Sequence, residues 1–159
     1  MSRPERPDQS RFGFSDEQLL NAPCVFAPDL FKDKVVMVSG AGSGLGKAMA
    51  AMFARLGAHL VICGRTVAKL ERTAALLEGV GGEIATAEVN IRDPEAVQST
   101  LDKVFEQFGR LDVQVNTAGG QFAQDAIDFS VKGWNAVIDT NLNGTWYMMQ
   151  AAAQHWRDT

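Results

Sequence analysis

The stretch VVMVSGAGSGLGKAMAAMFARLGAHLVICGR, Val35 to Arg65, places four glycines (Gly40, Gly42, Gly44, Gly46) in seven positions directly after an apolar run. A β-branched run without polar alternation is the pattern of a strand buried on both faces of a parallel sheet. A turn so poor in side chains after such a strand lets backbone amides and the positive end of the next helix approach an anion. Any Cβ would block that approach to a pyrophosphate. A glycine-rich turn that binds nothing is the competing reading, and its position between a buried strand and a helix argues against it.

The rest of the chain repeats this alternation as βαβαβαβα. Lys34 to Ser39 reads as the first strand, followed by a helix over Leu45 to Leu56 that Gly57 ends. His59 to Cys63 is the second strand, and Thr66 caps a helix to Glu78 that the Gly79 to Gly82 cluster closes. Glu83 to Val89 is the third strand. Asp93-Pro94-Glu95 supplies an N-cap, a first-turn proline and a dipole-favoured acid for a helix to Phe108, stopped by Gly109. Val113 to Asn116 is the fourth strand, and one long helix runs from near Ser130 almost to Thr159. Such alternation forces right-handed crossovers, hence an α/β fold with a doubly wound parallel sheet of the Rossmann type. Residues 1–29 read as a flexible N-terminal tail and lead-in, with Met1 to Phe14 a solvated tail, and 30–159 as part of a single dinucleotide-binding domain.

Composition narrows the function. With 159 residues, 46% hydrophobic and 21% charged, the chain can bury one ordinary core. Its net charge of −4, with acids and bases interleaved, offers no basic stripe for nucleic acid or for a membrane surface. Cys24 and Cys63 are the only cysteines, and with no secretory signal pattern they read as free thiols of a cytoplasmic protein. No metal-ligand spacing is present.

Three motifs in order identify the chain as resembling the short-chain dehydrogenase/reductase family from about Leu30 onward. They are SGAGSGLG at Ser39 to Gly46, LDVQVNTAGG at Leu111 to Gly120, and TNLNGTWY at Thr140 to Tyr147. The glycine spacing is GxxxGxG; the GxGxxG/A fingerprint fails because Leu45 stands at its third small position. Within the family, FAPDLFKDKV, GGQF and KGWNAVIDTNLNGT look most like the trans-2-enoyl-CoA and 2,4-dienoyl-CoA reductase branch.

The resemblance implies a nicotinamide cofactor held by Ser39, Gly40, Ser43, Gly44, Leu45 and Gly46. Gly64 occupies the place of the acid that grips the ribose 2′-hydroxyl in NAD sites, and Arg65 follows it, which resembles the NADP(H) pattern. A merely solvated Arg65 is the alternative. Asn90, with Ile91 beside it, replaces an aspartate that binds the adenine amino group, and its carbonyl is expected to accept that bond. Asn116 at the end of the fourth strand reads equally as a cofactor contact or a satisfied strand-end amide, and Ala118 and Gly119 would run against the nicotinamide ribose. Thr117 departs from the second asparagine of the family's NNAG element, and its hydroxyl can replace only part of that bonding.

In the last helix, Trp134, Val137, Ile138, Leu142, Thr145 and Met149 follow helical spacing as one apolar face, with Asn141 inside the stripe. The resemblance makes Asn141 a catalytic residue that kinks the helix and holds a proton-relaying water; a structural amide is the alternative. It also gives Gln121 a place where dienoyl-CoA reductases use an asparagine in catalysis. The family completes its site with a serine and a YxxxK helix that these residues do not include, since Tyr147 is followed by MMQ with no lysine four residues on. The chain is therefore expected to supply the cofactor-binding half of an oxidoreductase acting on a small-molecule substrate, an acyl-CoA or a carbonyl compound. It would form a homo-oligomer through the last helix, and alone it would be inactive and prone to associate. A catalytically silent nucleotide-binding or interaction protein is the alternative. Gly40→Val is expected to abolish cofactor binding and leave the fold intact.

Overall fold

The computed structural model describes residues 13–158. Four parallel strands, β1 (Val35–Ser39), β2 (His59–Gly64), β3 (Ile84–Glu88) and β4 (Val113–Asn116), form a sheet in the order β3-β2-β1-β4. The register sets Val36 against both Leu60 and Val113, and Ser39 against Cys63 and Asn116. The carboxyl ends of β1, β2 and β4 therefore align on one rim. The reversal of strand order lies at β1, where a doubly wound sheet opens its ligand crevice.

The helices follow the predicted positions within one or two residues: α2 (Gly44–Arg55), α3 (Val67–Leu77) and α4 (Pro94–Phe108). Alternate residues of β1 divide the core. Val36 and Val38 pack under α2 and α3 with Ala50, Ala54, Leu60, Ile62 and Leu77. Val35 and Met37 face α4 and the last helix with Val97, Leu101, Val104 and Met148. Every residue of β1 is buried, which explains its unbroken apolar run. Asp93 caps α4 through bonds from the amides of Glu95 and Ala96, and Gly109 ends it at φ 70°. Thr66 occupies the N-cap position of α3, but its hydroxyl makes no cap bond.

The lead-in contains an element that the sequence reading did not place. Asp16–Asn21 form α1, opened by a capping box in which Ser15 Oγ accepts from the Gln18 amide and Gln18 Oε1 accepts from the Ser15 amide. Leu19 and Leu20 pack on the α2 side of the core. The residues expected to form a solvated tail lie mostly outside the described residues.

The last helix is not continuous in phase. It consists of α5 (Val131–Ile138), a π-helical segment at Asp139–Gly144, and α6 (Thr145–Asp158). The wider π turn rotates α6 relative to a 3.6-residue period, so a single stripe cannot be drawn across it. The buried face carries Gly144, Met148, Ala151 and Ala152. Trp134, Leu142 and Met149 of the predicted apolar face stand 59%, 62% and 50% exposed, and Asn141 is exposed as well.

Asp112 joins the entry of β4 to the start of β1. Its carboxylate accepts from the Val35 amide at 2.9 Å and from Lys34 Nζ at 3.3 Å, and pairs with Arg110. Burial opposes its charge, but the bonds from Arg110, the Val35 amide and Lys34, together with the Arg110 charge, hold its carboxyl below the usual range. This stability is complete above an ordinary carboxylate pKa of about 3.9 and is lost as pH falls through the lower folded value. Asp112→Asn should therefore destabilise the protein by about 1.5–3 kcal/mol at neutral pH. In urea titrations the gap from wild type should close below about pH 4.

Both cysteines are free; Cys63 is fully buried, and burial pushes its thiol up to about 12, which makes it inert. Among the described residues no helix is long and apolar enough to cross a membrane, and no group of three or more His, Cys, Asp or Glu could hold a metal.

Candidate cofactor site

At the carboxyl rim of β1, β2 and β4 lies a cleft of about 360 Å³. Of the predicted residues, Gly40, Ser43, Leu45 and Gly46 line it from the first turn, and Arg65 from the end of β2. Asn90 and Ile91 enter after β3, and Ala118 and Gly119 after β4. Ser39, Gly44, Asn116, Gln121 and Asn141 do not line it. A larger depression of about 530 Å³ beside β3 carries Glu71, Glu78 and Glu83 and none of the predicted residues.

The glycines serve packing as much as access. Gly40 has φ 73°, and a Cβ there would lie 2.9 Å from the Ala118 backbone, so the occupied space belongs to the end of β4. A Cβ on Gly46 would strike the Gly40 carbonyl and sit 2.6 Å from Thr117 Oγ1. These two glycines let α2, the first turn and the β4 end close on one another. Gly44 has φ 57° and open space around the position of a Cβ. Ser43, the N-cap of α2, makes no side-chain cap bond, which leaves the helix's first amides unclaimed by a cap at the cleft.

Ser39 turns away from the cleft. It is 1% exposed, and its hydroxyl accepts from the amides of Thr117 and Ala118 at 3.2 Å each. Thr117 returns a bond from Oγ1 to the Ser39 carbonyl. Threonine thus supplies the brace between β1 and β4 that the departure from NNAG left in question. Asn116 is half-buried: its Nδ2 lies 3.5 Å from Gln114 Oε1, while Gln114 donates to the Met148 carbonyl. Its Oδ1 is buried without a hydrogen-bond partner among the described residues. The strand-end amide is thus only half satisfied.

Asn90 lines the cleft with its carbonyl turned to a neighbour. Its Oδ1 accepts from the Arg92 amide at 3.3 Å and from Arg92 Nε at 3.4 Å, long bonds that an adenine amino group would share or displace. Ile91 is 5% exposed, and Gly144 of the π turn packs directly on it. Asn141 projects from that turn: its Oδ1 accepts from the Gly120 amide and its Nδ2 donates to the Gly120 carbonyl, both at 2.9 Å. A Cβ on Gly119 would come within 2.6 Å of Asn141 Oδ1. The exposed amide is therefore satisfied by the loop after β4. Gln121 follows in that loop, exposed.

Sequence reasoning missed Lys69 and Thr66, which line the cleft beside Arg65. Lys69 lies in the first turn of α3, and its stem packs against Gly42. The signal available was a second cation close behind Arg65 at the exit of β2, in RTVAK. Neither Arg65 nor Lys69 forms an ion pair among the described residues, and no carboxylate lines the cleft. Two cations, uncapped helix amides and backbone at close approach fit a ligand that carries phosphates.

The match to known proteins agrees with this geometry. Residues 34–159 match the family model described as short chain dehydrogenase, and the chain belongs to that family of nicotinamide-dependent oxidoreductases. A Bacillus subtilis protein named as a probable 2,4-dienoyl-CoA reductase is 39% identical over 125 residues, 79% of this chain and 49% of the relative. An Arabidopsis thaliana peroxisomal 2,4-dienoyl-CoA reductase is 32% identical over 82% of this chain and 44% of its own length. The crystal structure of a Bacillus anthracis short chain dehydrogenase aligns with TM-score 0.76 and 43% identity over 79% of this chain and 51% of that one. The chain spans about half the length of the relatives it matches.

Proposed function

We propose that the chain provides the cofactor-binding part of an NADP-dependent reductase whose substrate is an enoyl-CoA or dienoyl-CoA. The observation that carries this reading is the cleft at the β1 switch point, with Arg65 and Lys69 at one side and no carboxylate on its walls. The first turn of α2 would receive the pyrophosphate on its amides, and Arg65 would grip the 2′-phosphate. Ile91 would cover the adenine, and Ala118 and Gly119 would lie along the nicotinamide ribose. Bound there, NADP(H) supplies or accepts the hydride. The acyl-CoA class is carried over from the names of the relatives.

Asn141 would keep its loop-holding bonds to Gly120 while its neighbourhood orders a proton-relaying water, and Gln121 would reach a thioester carbonyl. The exposed Trp134, Leu142, Trp146 and Met149 favour a homo-oligomer built through the last helix. Two free thiols fit a reducing compartment such as the cytoplasm.

A silent nucleotide-binding role for these 159 residues alone has one observation in its favour. Tyr147, their sole tyrosine, packs against the core under α4 and has Ala151 four residues on. The isolated 159-residue polypeptide should accordingly bind NADPH, seen by fluorescence, yet fail to oxidise it with crotonyl-CoA or a longer dienoyl-CoA. Turnover by the purified polypeptide would overthrow the division of roles, and absence of nucleotide binding would overthrow the cleft assignment.

A further inference from the structure

We propose that Asp16, carried by the brace of residues 15–24, is a positioning residue that keeps the first turn of α2 formed and ready for an anion before any ligand arrives. The first turn of α2 is weak by its own sequence. It contains Gly44 and Gly46, has no side-chain cap from Ser43 and no acidic residue, and places Lys47 where the helix dipole disfavours a cation. A side-chain cap or an acid there would stabilise the turn, but it would occupy or repel the anion that the amides face. The brace supplies the missing stabilisation from outside the cleft.

Asp16 Oδ1 lies 2.6 Å from Lys47 Nζ and offsets the misplaced charge. The brace is pinned at its other end, because the Arg55 guanidinium in the last turn of α2 donates to the carbonyls of Leu19 and Ala22. Leu19 and Leu20 seat it on the core that α2 closes, and Cys24 Sγ lies 3.6 Å from Met52 Sδ. Residues 15–24 thus run beside α2 from its first turn to its last and contribute nothing to the cleft lining. Pre-forming the turn removes an ordering cost that the ligand would otherwise meet on binding.

The link to affinity rests on reading the α2 turn as the phosphate cradle; the link to turn order does not. In the full protein, Asp16→Asn and Asp16→Lys should speed hydrogen exchange at the Lys47 amide, which donates to the Ser43 carbonyl, and at the amides just after it, with the global unfolding midpoint nearly unchanged. Asp16→Asn should weaken NADPH and NADH alike, by up to about fivefold at low salt, whereas the cation of Asp16→Lys also attracts the phosphates directly, so that variant is read by exchange alone. The affinity loss should shrink at 1 M salt. In a Lys47→Met background neither substitution should speed the exchange, since the charge to be offset is gone. Unchanged exchange in the Asp16 variants, or an equal effect without Lys47, would overturn the proposal. Faster exchange in Asp16→Asn with both affinities intact would also overturn it, as the brace would then not act on the cleft. Should the wild type bind neither cofactor, the exchange measurement still decides whether Asp16 orders the turn.

Discussion

Gly40→Val is expected to destabilise the fold severely, and Gly44→Ala to leave it standing. At Gly40 the backbone has φ 73°, and a Cβ would lie 2.9 Å from both Cα and N of Ala118. A β-branched residue in that region costs about 1–3 kcal/mol in backbone strain. Forcing the β4 end away adds about 1–3 kcal/mol of overpacking. Together these, about 2–6 kcal/mol, reach the lower end of the total stability of a domain of this size, roughly 5–15 kcal/mol. At Gly44 a Cβ meets nothing within 4 Å, and φ 57° costs alanine about 1–2 kcal/mol. Urea unfolding of the two variants would show a large drop in midpoint for the first and a small one for the second. A Gly40→Val protein with wild-type stability would refute the packing role and restore the simpler view that this glycine only makes room for the ligand.

Arg65→Ala is expected to reduce NADPH affinity by roughly 10- to 150-fold while leaving NADH affinity unchanged. The range corresponds to about 1.5–3 kcal/mol for a hydrogen bond between charged groups. Arg65 is exposed, so solvent screening favours the lower end of the range. Lys69→Met should produce a smaller loss in the same direction, because Lys69 lies on the same wall without a competing carboxylate. Titration of both cofactors against the two variants separates charge recognition from general damage to the cleft. Equal loss for NADPH and NADH would refute the assignment of Arg65 to the 2′-phosphate.

Much of the fold was legible because its signals are local. β1 and β2 are apolar because both faces are covered, and the caps at Asp93 and Gly109 are chemical marks that no tertiary contact needs to supply. The capping box Ser15-Asp16-Glu17-Gln18 was as local as these, and its helix could have been read from it. The phase of the last helix could not be read in this way. A π turn depends on Gly144 packing against Ile91 and on Asn141 bonding Gly120, contacts to parts of the chain some 20 to 50 residues away. Periodicity counted along one helix carries no information about them.

The sequence by itself determined the alternation of strands and helices, the parallel sheet, and the presence of a glycine turn after β1, since each arises from burial pattern and backbone freedom within a short window. Only the tertiary structure decided what each side chain at the rim does. It turned Ser39 from the cleft to the amides of Thr117 and Ala118, set the Asn90 carbonyl against Arg92, and brought Lys69 to the wall beside Arg65. It also showed that Gly40 and Gly46 are glycines because neighbouring backbone and side chain occupy the space a Cβ would need. The physical reason is range: hydrophobic pattern and capping act over a few residues, whereas a hydrogen-bond partner or an occupied volume is set by whichever distant segment the folded sheet brings alongside.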